Sequence, residues 1–520
     1  MGASVNPAVT DHLLTAKLSA AIVTDGPILA WQTAVIDAVE ALEGVAIARW
    51  DRMLPGPATD PGLGGSGPMA VVPVPDSLSA VRDRAGVPVD VALDLRLGSD
   101  LQEVGSAGET WTFVFGNAMS RAPERVARVA YVQDRPMRVA LIAAPGDRVL
   151  REGLLAWHRG SQLDRLLLDT AGWPAGELLK RLDGSQPPAE SSRDGKPAGR
   201  ADALPEPVLR IASVGRRLWN MPRAVLEHDD WNVGVIDAPI ETVVRARAEL
   251  PTAWLPLRPG RFAADPFGAH VGDDLHVFFE DYDQREGRGT IAHVAFGPDG
   301  TSTEPETVLD VGVHASYPYL IEDQGETFML PETSAARELI LYRARDWPRG
   351  WRAEVTLLPD FPAVDASVTR VGDRWWMFAT SADLGPTHNL FIWHAPALTG
   401  PWEPHELNPV KTDARSARPG GTPFVVDGTL YRPSQYCVGG YGAQLTICRV
   451  DTLTTRSFSE TPVATIPPPP GSPQPDGFHT LSAAGPRTLV DGKRRHLVPG
   501  ALQRSIERRA RPVTRRIGRG

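Results

Sequence analysis

Four acidic residues stand out by type and position. Asp265 lies in Ala264-Asp265-Pro266-Phe267, just ahead of a short strand, and Asp365 holds the same place in the later segment Val364-Asp365-Ala366-Ser367-Val368. Glu280 and Glu332 each end the second strand after such an opening. Carboxyls that converge shift one another's proton affinity, so one can donate a proton while another accepts it or attacks. The same residues also suit structural duties, Asp265 as a turn residue before proline and Asp365 as a cap or hydrogen-bonded turn.

A repeat predicts the convergence. Leu275-His276-Val277-Phe278-Phe279 reads as a strand entered through the turn Gly272-Asp273-Asp274. The pattern returns at 316–321 with 325–330, at 365–370 with 372–378, and at 421–426 with 428–431. A fifth copy is expected at His479-Thr480-Leu481, with its turn at Asp491-Gly492. Short strands repeating at roughly fifty residues predict a β-propeller, here five-bladed. The first strands of the blades line the axis, so Asp265, Tyr317, Asp365, a residue within 418–422 and His479 are expected around it. Glu280 and Glu332 reach the same mouth. His314 and His479 also fit the role of satisfied structural histidines.

At 520 residues the chain is too long for one core, and 42% apolar with 22% charged residues is an ordinary globular composition. A net charge of −9 excludes a broad basic surface for nucleic acid. The 14 tryptophans exceed what core packing needs; they read first as buried blade aromatics, with the lining of a carbohydrate site as the alternative. Cys437 and Cys448 read as reduced, buried thiols. The sequence shows neither a signal peptide nor an apolar stretch near the ~20 residues of a membrane span. Together these features predict a soluble cytoplasmic protein.

The expected organisation is multidomain: an N-terminal α/β domain followed by an all-β five-bladed propeller. Residues 1–16 form an arm, 17–183 the α/β domain, and 184–206 a Pro/Ser/Gly-rich linker. Residues 207–500 form the propeller with a helical lead-in, and 501–520 a basic tail. In the α/β domain, strands are predicted at 18–23, 45–50, 89–95, 110–116 and 138–142, with an amphipathic helix through Trp31, Val35 and Val39. No Gly-x-Gly-x-x-Gly follows the first strand, so a phosphate loop is unsupported, and no cofactor or metal is expected. The tail holds seven arginines against Glu507; it is a solvated tail or a foothold on an anionic surface.

Three resemblances follow from these residues. The layout Ile22-Val23-Thr24-Asp25, Trp31-Gln32, Asp94-Leu95 and 111–117 resembles the N-terminal domain of formyltransferases. That family's histidine is missing, since only His12, His158 and His228 precede residue 230. The resemblance therefore implies the fold without the chemistry. Ala264-Asp265-Pro266-Phe267 and 364–368 resemble elements of five-bladed propeller glycosidases of the arabinanase and xylosidase group. There a first-blade Asp acts as base or nucleophile, a third-blade Asp tunes it and a Glu is the acid. Such a pair must flank the bond, ~6.5–9.5 Å apart for inversion or ~5–5.5 Å for retention. Blade four here opens with Ala417-Arg418-Pro419-Gly420-Gly421 and offers no Glu, so Glu280 or Glu332 would supply the proton. Arg418 suggests an anionic group on the ligand.

Over roughly 205–500, the motifs at 231–236, 264–267, 279–281, 316–319, 331–332 and 400–410 occur in order, followed by Arg432-Pro433-Ser434-Gln435 and Tyr441-Gly442. This set resembles the N-terminal propeller domain of plant glucosamine inositolphosphorylceramide transferases and its bacterial homologues. In the plant enzymes a separate C-terminal domain carries the transfer. The implied ligand is a saccharide or sugar-phosphate, with Asp265, Asp365, Glu280 and Glu332 as catalytic candidates. His314, Tyr317, Arg418, Arg432, Gln435, Tyr441 and His479 are the candidates for ligand contact. A recognition module for polysaccharide or glycolipid assembly is the non-enzymatic alternative, and formyl transfer to an amino sugar is disfavoured by the missing histidine.

Overall fold

A computed structural model of the chain describes residues 16–25, 27–53, 71–81, 87–97, 106–156, 163–184, 204–247, 250–299, 301–468 and 471–497. The arm (except residue 16), most of the linker and the arginine tail lie outside them. The first sheet combines β1 (Leu18–Asp25), β2 (Val45–Met53), β3 (Val89–Asp94), β4 (Ala107–Phe115), β5 (Met137–Ala144) and β6 (Arg148–Leu155) in the order β2-β1-β3-β4-β5-β6. The first four pair in parallel, while β5 pairs antiparallel with both β4 and β6. Ala20, Ala21, Ile22 and Val23 are all buried, the continuous apolar run expected of a strand covered on both faces. Helices α1 (Ala30–Glu40), α2 (Asp76–Val81), α3 (Pro123–Gln133), α4 (Leu163–Leu168) and α5 (Trp173–Leu182) accompany the sheet. Trp31, Trp111 and Trp173 meet in its main core.

A long helix, α6 (Glu206–Leu226), leads into β7 (Glu227–Ile236), followed by α7 (Ile240–Arg245) and β8 (Thr252–Trp254). The propeller blades follow. Blade one holds β9 (Arg261–Val271), β10 (Asp274–Asp283), β11 (Arg288–Phe296) and β12 (Glu306–Leu309). Blade two holds β13 (Ser316–Asp323), β14 (Glu326–Glu332), β15 (Leu339–Asp346) and β16 (Arg349–Leu358). Blade three holds β17 (Ala363–Val371), β18 (Arg374–Ser381), β19 (Asn389–Ala395) and β20 (Glu403–Pro404), with β21 (Lys411–Thr412) added to β19. Blade four holds β22 (Phe424–Val426), β23 (Thr429–Tyr436), β24 (Gln444–Leu453) and β25 (Phe458–Ile466).

Blade five corrects two expectations. Its order is β26 (Leu481–Ala484), β27 (Arg487–Leu497), β7, β8, so the segment read as a lead-in supplies half the blade and closes the ring. Its hairpin turns at Gly485, where φ is +58°, and not at Asp491-Gly492, which lies within β27. Gly485-Pro486 is the stronger turn signal, because glycine adopts positive φ without a Cβ clash. Cys437 and Cys448 are free and buried. No described helix is long and apolar enough to cross a membrane.

The α/β domain is locked to the propeller along β6. Leu154 bridges to Asp413, and the Ala414 N–H donates to the Leu154 carbonyl at 2.8 Å. His388 Nε2 lies 2.9 Å from Asp169 Oδ2, and Asn389 donates to the Asp169 carbonyl at 2.9 Å. At Gly153 a Cβ would meet the Thr412 side chain and carbonyl at 2.8 Å. Gly153→Val is therefore expected to weaken this contact by about 1–3 kcal/mol, the usual cost of overpacking. Calorimetry should then resolve two unfolding transitions where the parent shows one; a single unshifted transition would refute the lock.

Candidate functional site

Three blades open with the same irregularity. Asp265, Tyr317 and Asp365 have φ of +52°, +46° and +51°, left-handed conformations that non-glycine residues rarely hold. At each one the ladder to the next strand slips register: between Phe278 and Glu280, between Ser316 and Tyr319, and between Val364 and Ser367. A bulge of this kind re-aims a side chain out of the sheet pattern. Each strained residue costs on the order of 1–3 kcal/mol and persists where its surroundings hold it, typically at functional sites. In blade four the corresponding place is Gly421, with φ of +126°.

Beneath the mouth the axis is closed. The Tyr317 hydroxyl lies 2.8 Å from Ser367 Oγ and accepts from the Gly421 N–H at 2.7 Å, while Ser367 donates to the Gly421 carbonyl at 3.0 Å. Tyr317 is 0% exposed, so it forms the floor and no part of the ligand surface. Above it opens a cleft of about 370 Å³. Asp229, Asp265, Glu280 and Glu332 supply its acidic lining, Trp231, Tyr441, Phe262 and Tyr282 an aromatic rim, and Arg418, His314 and His479 its basic groups.

The carboxyls are unusually poised. Burial pushes Asp265 up to about 7, helped by the charges of Asp365 and Asp491 and opposed by His479. Thr480 Oγ1 donates to Asp265 Oδ1 at 3.0 Å, and His479 Nδ1 lies 3.7 Å away. Burial likewise raises Glu332 to about 8, with Asp365 adding to the rise; Ser334 donates to Glu332 at 2.9 Å. Glu280 is raised well above the usual carboxyl range by burial and then by Asp265. The Gly289 N–H donates to His314 Nδ1 at 3.0 Å, so a neutral His314 carries its proton on Nε2, which faces Glu280 Oε1 at 3.6 Å.

Asp365 and Arg418 form a closed pair. Asp365 Oδ2 accepts from Arg418 Nε at 2.6 Å and from Gln435 Nε2 at 2.5 Å. The Arg418 guanidinium also lies over the Tyr441 ring, 4.8 Å from its centre. Its charge is thus met within the protein, and the acids that line the cleft outnumber it.

Seven of the predicted residues line the cleft: Asp265, Glu280, His314, Glu332, Arg418, Tyr441 and His479. Asp365 and Gln435 stand behind Arg418, both buried. Arg432 is a correction. It is fully buried, paired with Glu460 at 2.6 Å and donating to the Ser416 and Ala417 carbonyls at 2.6 and 3.1 Å. It pins the loop that delivers Arg418 and touches no ligand surface.

Sequence reasoning missed Asp229, Trp231, Thr480 and Asp491. Asp491 accepts from the backbone N–H groups of Asp265, His479 and Thr480 at 3.2, 3.0 and 3.0 Å, and its Oδ2 lies 2.5 Å from His479 Nδ1. Against the opposing effect of burial, Asp491 and Asp265 hold His479 above its ordinary value. Donor atoms of Asp265, His479 and Asp491 lie within 4.8 Å of one another, a spacing a cation could use, but the His479–Asp491 hydrogen bond already joins two of them.

A pH dependence follows. The folded protein holds protons on Asp265 from 3.8 up to about 7 and on Glu332 from 4.5 up to about 8, where the unfolded chain has released them. Folded protein binding more protons means stability that falls as pH rises through that window. The raised His479 acts in the same direction. The thermal midpoint is expected to drop between about pH 5 and pH 8, and Glu332→Gln to flatten the drop. A rising midpoint in the parent would show that these groups are ionised when folded.

Comparison with known proteins finds relatives for part of the chain. The chain is 36% identical over 211 residues to glucosamine inositolphosphorylceramide transferase 1 of Oryza sativa subsp. japonica, covering 39% of this chain and 28% of that protein. The protein of the same name from Arabidopsis thaliana is 33% identical over the same shares. The chain thus spans little more than a quarter of the length of these relatives. Among solved structures, an α-L-arabinofuranosidase from Podospora anserina in complex with cellotriose aligns with a TM-score of 0.34 at 12% identity, over 44% of this chain and 81% of that one. An exo-β-1,3-galactanase from Clostridium thermocellum aligns with a TM-score of 0.34 at 9% identity, over 44% and 65%. The formyltransferase likeness of the α/β domain and a bacterial origin gain no support from these matches. Residues 238–467 match the family described as glucosamine inositolphosphorylceramide transferase 1, N-terminal.

Proposed function

We propose that the propeller cleft binds a saccharide and breaks or transfers a glycosidic bond there. The observation that carries this reading is that Asp265, Glu280 and Glu332, all buried and all raised in proton affinity, face one cleft. Glycosidic cleavage needs one carboxyl protonated and another ionised at the same pH. Glu332 or Glu280, both raised, is the acid, and Asp265, with Thr480 and His479 beside it, is the base or nucleophile. Asp365 tunes both by its charge, and Arg418 and Gln435 hold it in place. The matched relatives carry a name that joins glucosamine to a phosphorylated lipid, which supports a carbohydrate ligand. The α/β domain serves as an accessory module.

A recognition module for polysaccharide or glycolipid assembly is the second reading. It is favoured by blade four, which presents Arg418 and Gly421 where a carboxylate acid would stand. Sugar release from a panel of aryl glycosides, with calorimetric titration of the same free sugars, separates the two. Release supports catalysis, binding without release supports recognition, and neither result refutes both.

A further inference from the structure

A broad apolar stripe lies on α6. One side of this helix is anchored: Leu209 packs on Val129 of α3, and Arg216 donates to the Val132 carbonyl at 2.7 Å and pairs with Asp134 at 3.2 Å. The other side exposes Val208, Ile211, Val214, Leu218 and Trp219, with Ile211 73%, Leu218 61% and Trp219 72% exposed. At about 100° per residue these five positions fall within an arc of roughly 140°. Large side chains massed on one helix face mark an interaction surface, unlike singly scattered exposed residues.

The charge around the stripe is positive. In helical projection Arg210 and Arg217 border one edge and Arg216 the other. Glu206, the one acid in the helix, pairs with Arg125, Arg128 and Arg210 at 3.2, 2.7 and 3.3 Å. Leu497 pairs with Glu227, the residue after α6, and residues 498–520 lie outside the described residues. Their sequence carries Arg504, Arg508, Arg509, Arg511, Arg515, Arg516 and Arg519 against Glu507. The strand that begins where α6 ends supplies Asp229 and Trp231 to the cleft.

We propose that α6 docks this protein on an anionic membrane surface. Its apolar stripe enters the boundary between headgroups and acyl chains while the flanking arginines meet lipid phosphates. The strand that starts where the docked helix ends carries Asp229 and Trp231 of the cleft. The docking itself stands on the helix and not on the chemistry of the cleft.

The test is flotation of the full chain with vesicles of phosphatidylcholine alone and of phosphatidylcholine with about one-third phosphatidylglycerol. Flotation is expected with the anionic vesicles only, and it should weaken as salt rises. Ile211→Asp with Leu218→Asp is expected to lower binding at least about tenfold with an unchanged unfolding midpoint, because both side chains face water. A chain with Arg508, Arg509, Arg515 and Arg516 changed to Gln keeps most of its binding if the helix is the anchor. The proposal fails if the native chain binds neither vesicle, or if the tail variant loses binding while the helix variant keeps it. It also fails if the helix variant only turns an oligomer into a monomer, since the stripe would then be a contact between copies.

Discussion

Asp265→Asn lowers sugar release by at least about a hundredfold while leaving the protein as stable as before, or more so. The loss follows from the role: an amide keeps the shape of the carboxyl and the hydrogen bond from Thr480 but can neither take a proton nor attack a sugar carbon. Removing a positioned acid or base typically costs about 10²–10⁴ in rate. The stability half follows from the setting. Burial first, then Asp365 and Asp491, disfavours the ionised Asp265, so a neutral isostere relieves repulsion more than it forfeits attraction to His479. Aryl-glycoside kinetics and thermal unfolding on the same variant check both halves. Release within about tenfold of the native rate would remove Asp265 from the chemistry. A large fall in melting temperature would reassign it to structure.

Gly421→Ala is expected to destabilise the propeller by about 4 kcal/mol or more, the size reserved for backbone clashes and lost core contacts. Gly421 has φ of +126°, and a Cβ there would sit 1.8 Å from the Leu481 carbonyl oxygen. The Leu481 carbonyl accepts from the Thr422 N–H at 3.1 Å, and the Leu481 N–H donates to Gly420 at 2.9 Å, which joins blade four to blade five. Moving the backbone away would break that seam. It would also pull Gly421 from Tyr317 and Ser367, which it holds at the floor of the cleft. A denaturant midpoint corresponding to less than about 1 kcal/mol of loss would mean that the seam yields without strain.

The propeller was legible because its repeat is local: an opening residue, a short strand, a glycine turn and a second strand recur within each blade. The positions of Asp265, Tyr317 and Asp365 on one axis came from aligning those repeats, and the left-handed backbone at all three marks them as equivalent places in successive blades. What those residues touch was not legible. Arg418 looked like an anion receptor because its sequence neighbourhood gives no hint of Asp365, which reaches it from another blade. Arg432 and Tyr317 looked like ligand contacts, yet each satisfies buried groups supplied by distant strands. Asp491 was hidden by its neighbour: Asp-Gly is a common turn pair, and nothing local shows that this aspartate caps three N–H groups at the axis. In the α/β domain the apolar runs of β1 and β3 announced a covered sheet, but Gly153 carried no mark of its contact with Thr412.

The closure of the ring also sets a timetable for synthesis. β7 is made before any other propeller strand, but its partner β27 is the last described strand; Thr488 and Ala238, hydrogen-bonded at 2.7 Å, lie 250 residues apart in the chain. At roughly 5–20 residues per second, the ribosome needs on the order of 10–50 s to deliver that partner. During this interval β7 offers an unpaired edge, the kind of surface on which nascent chains associate wrongly. Asp229 and Trp231 are made first and the floor residues Tyr317, Ser367 and Gly421 follow, yet His479, Thr480 and Asp491 arrive only with the final blade. The site is therefore completed only once β27, which carries Asp491, has been made.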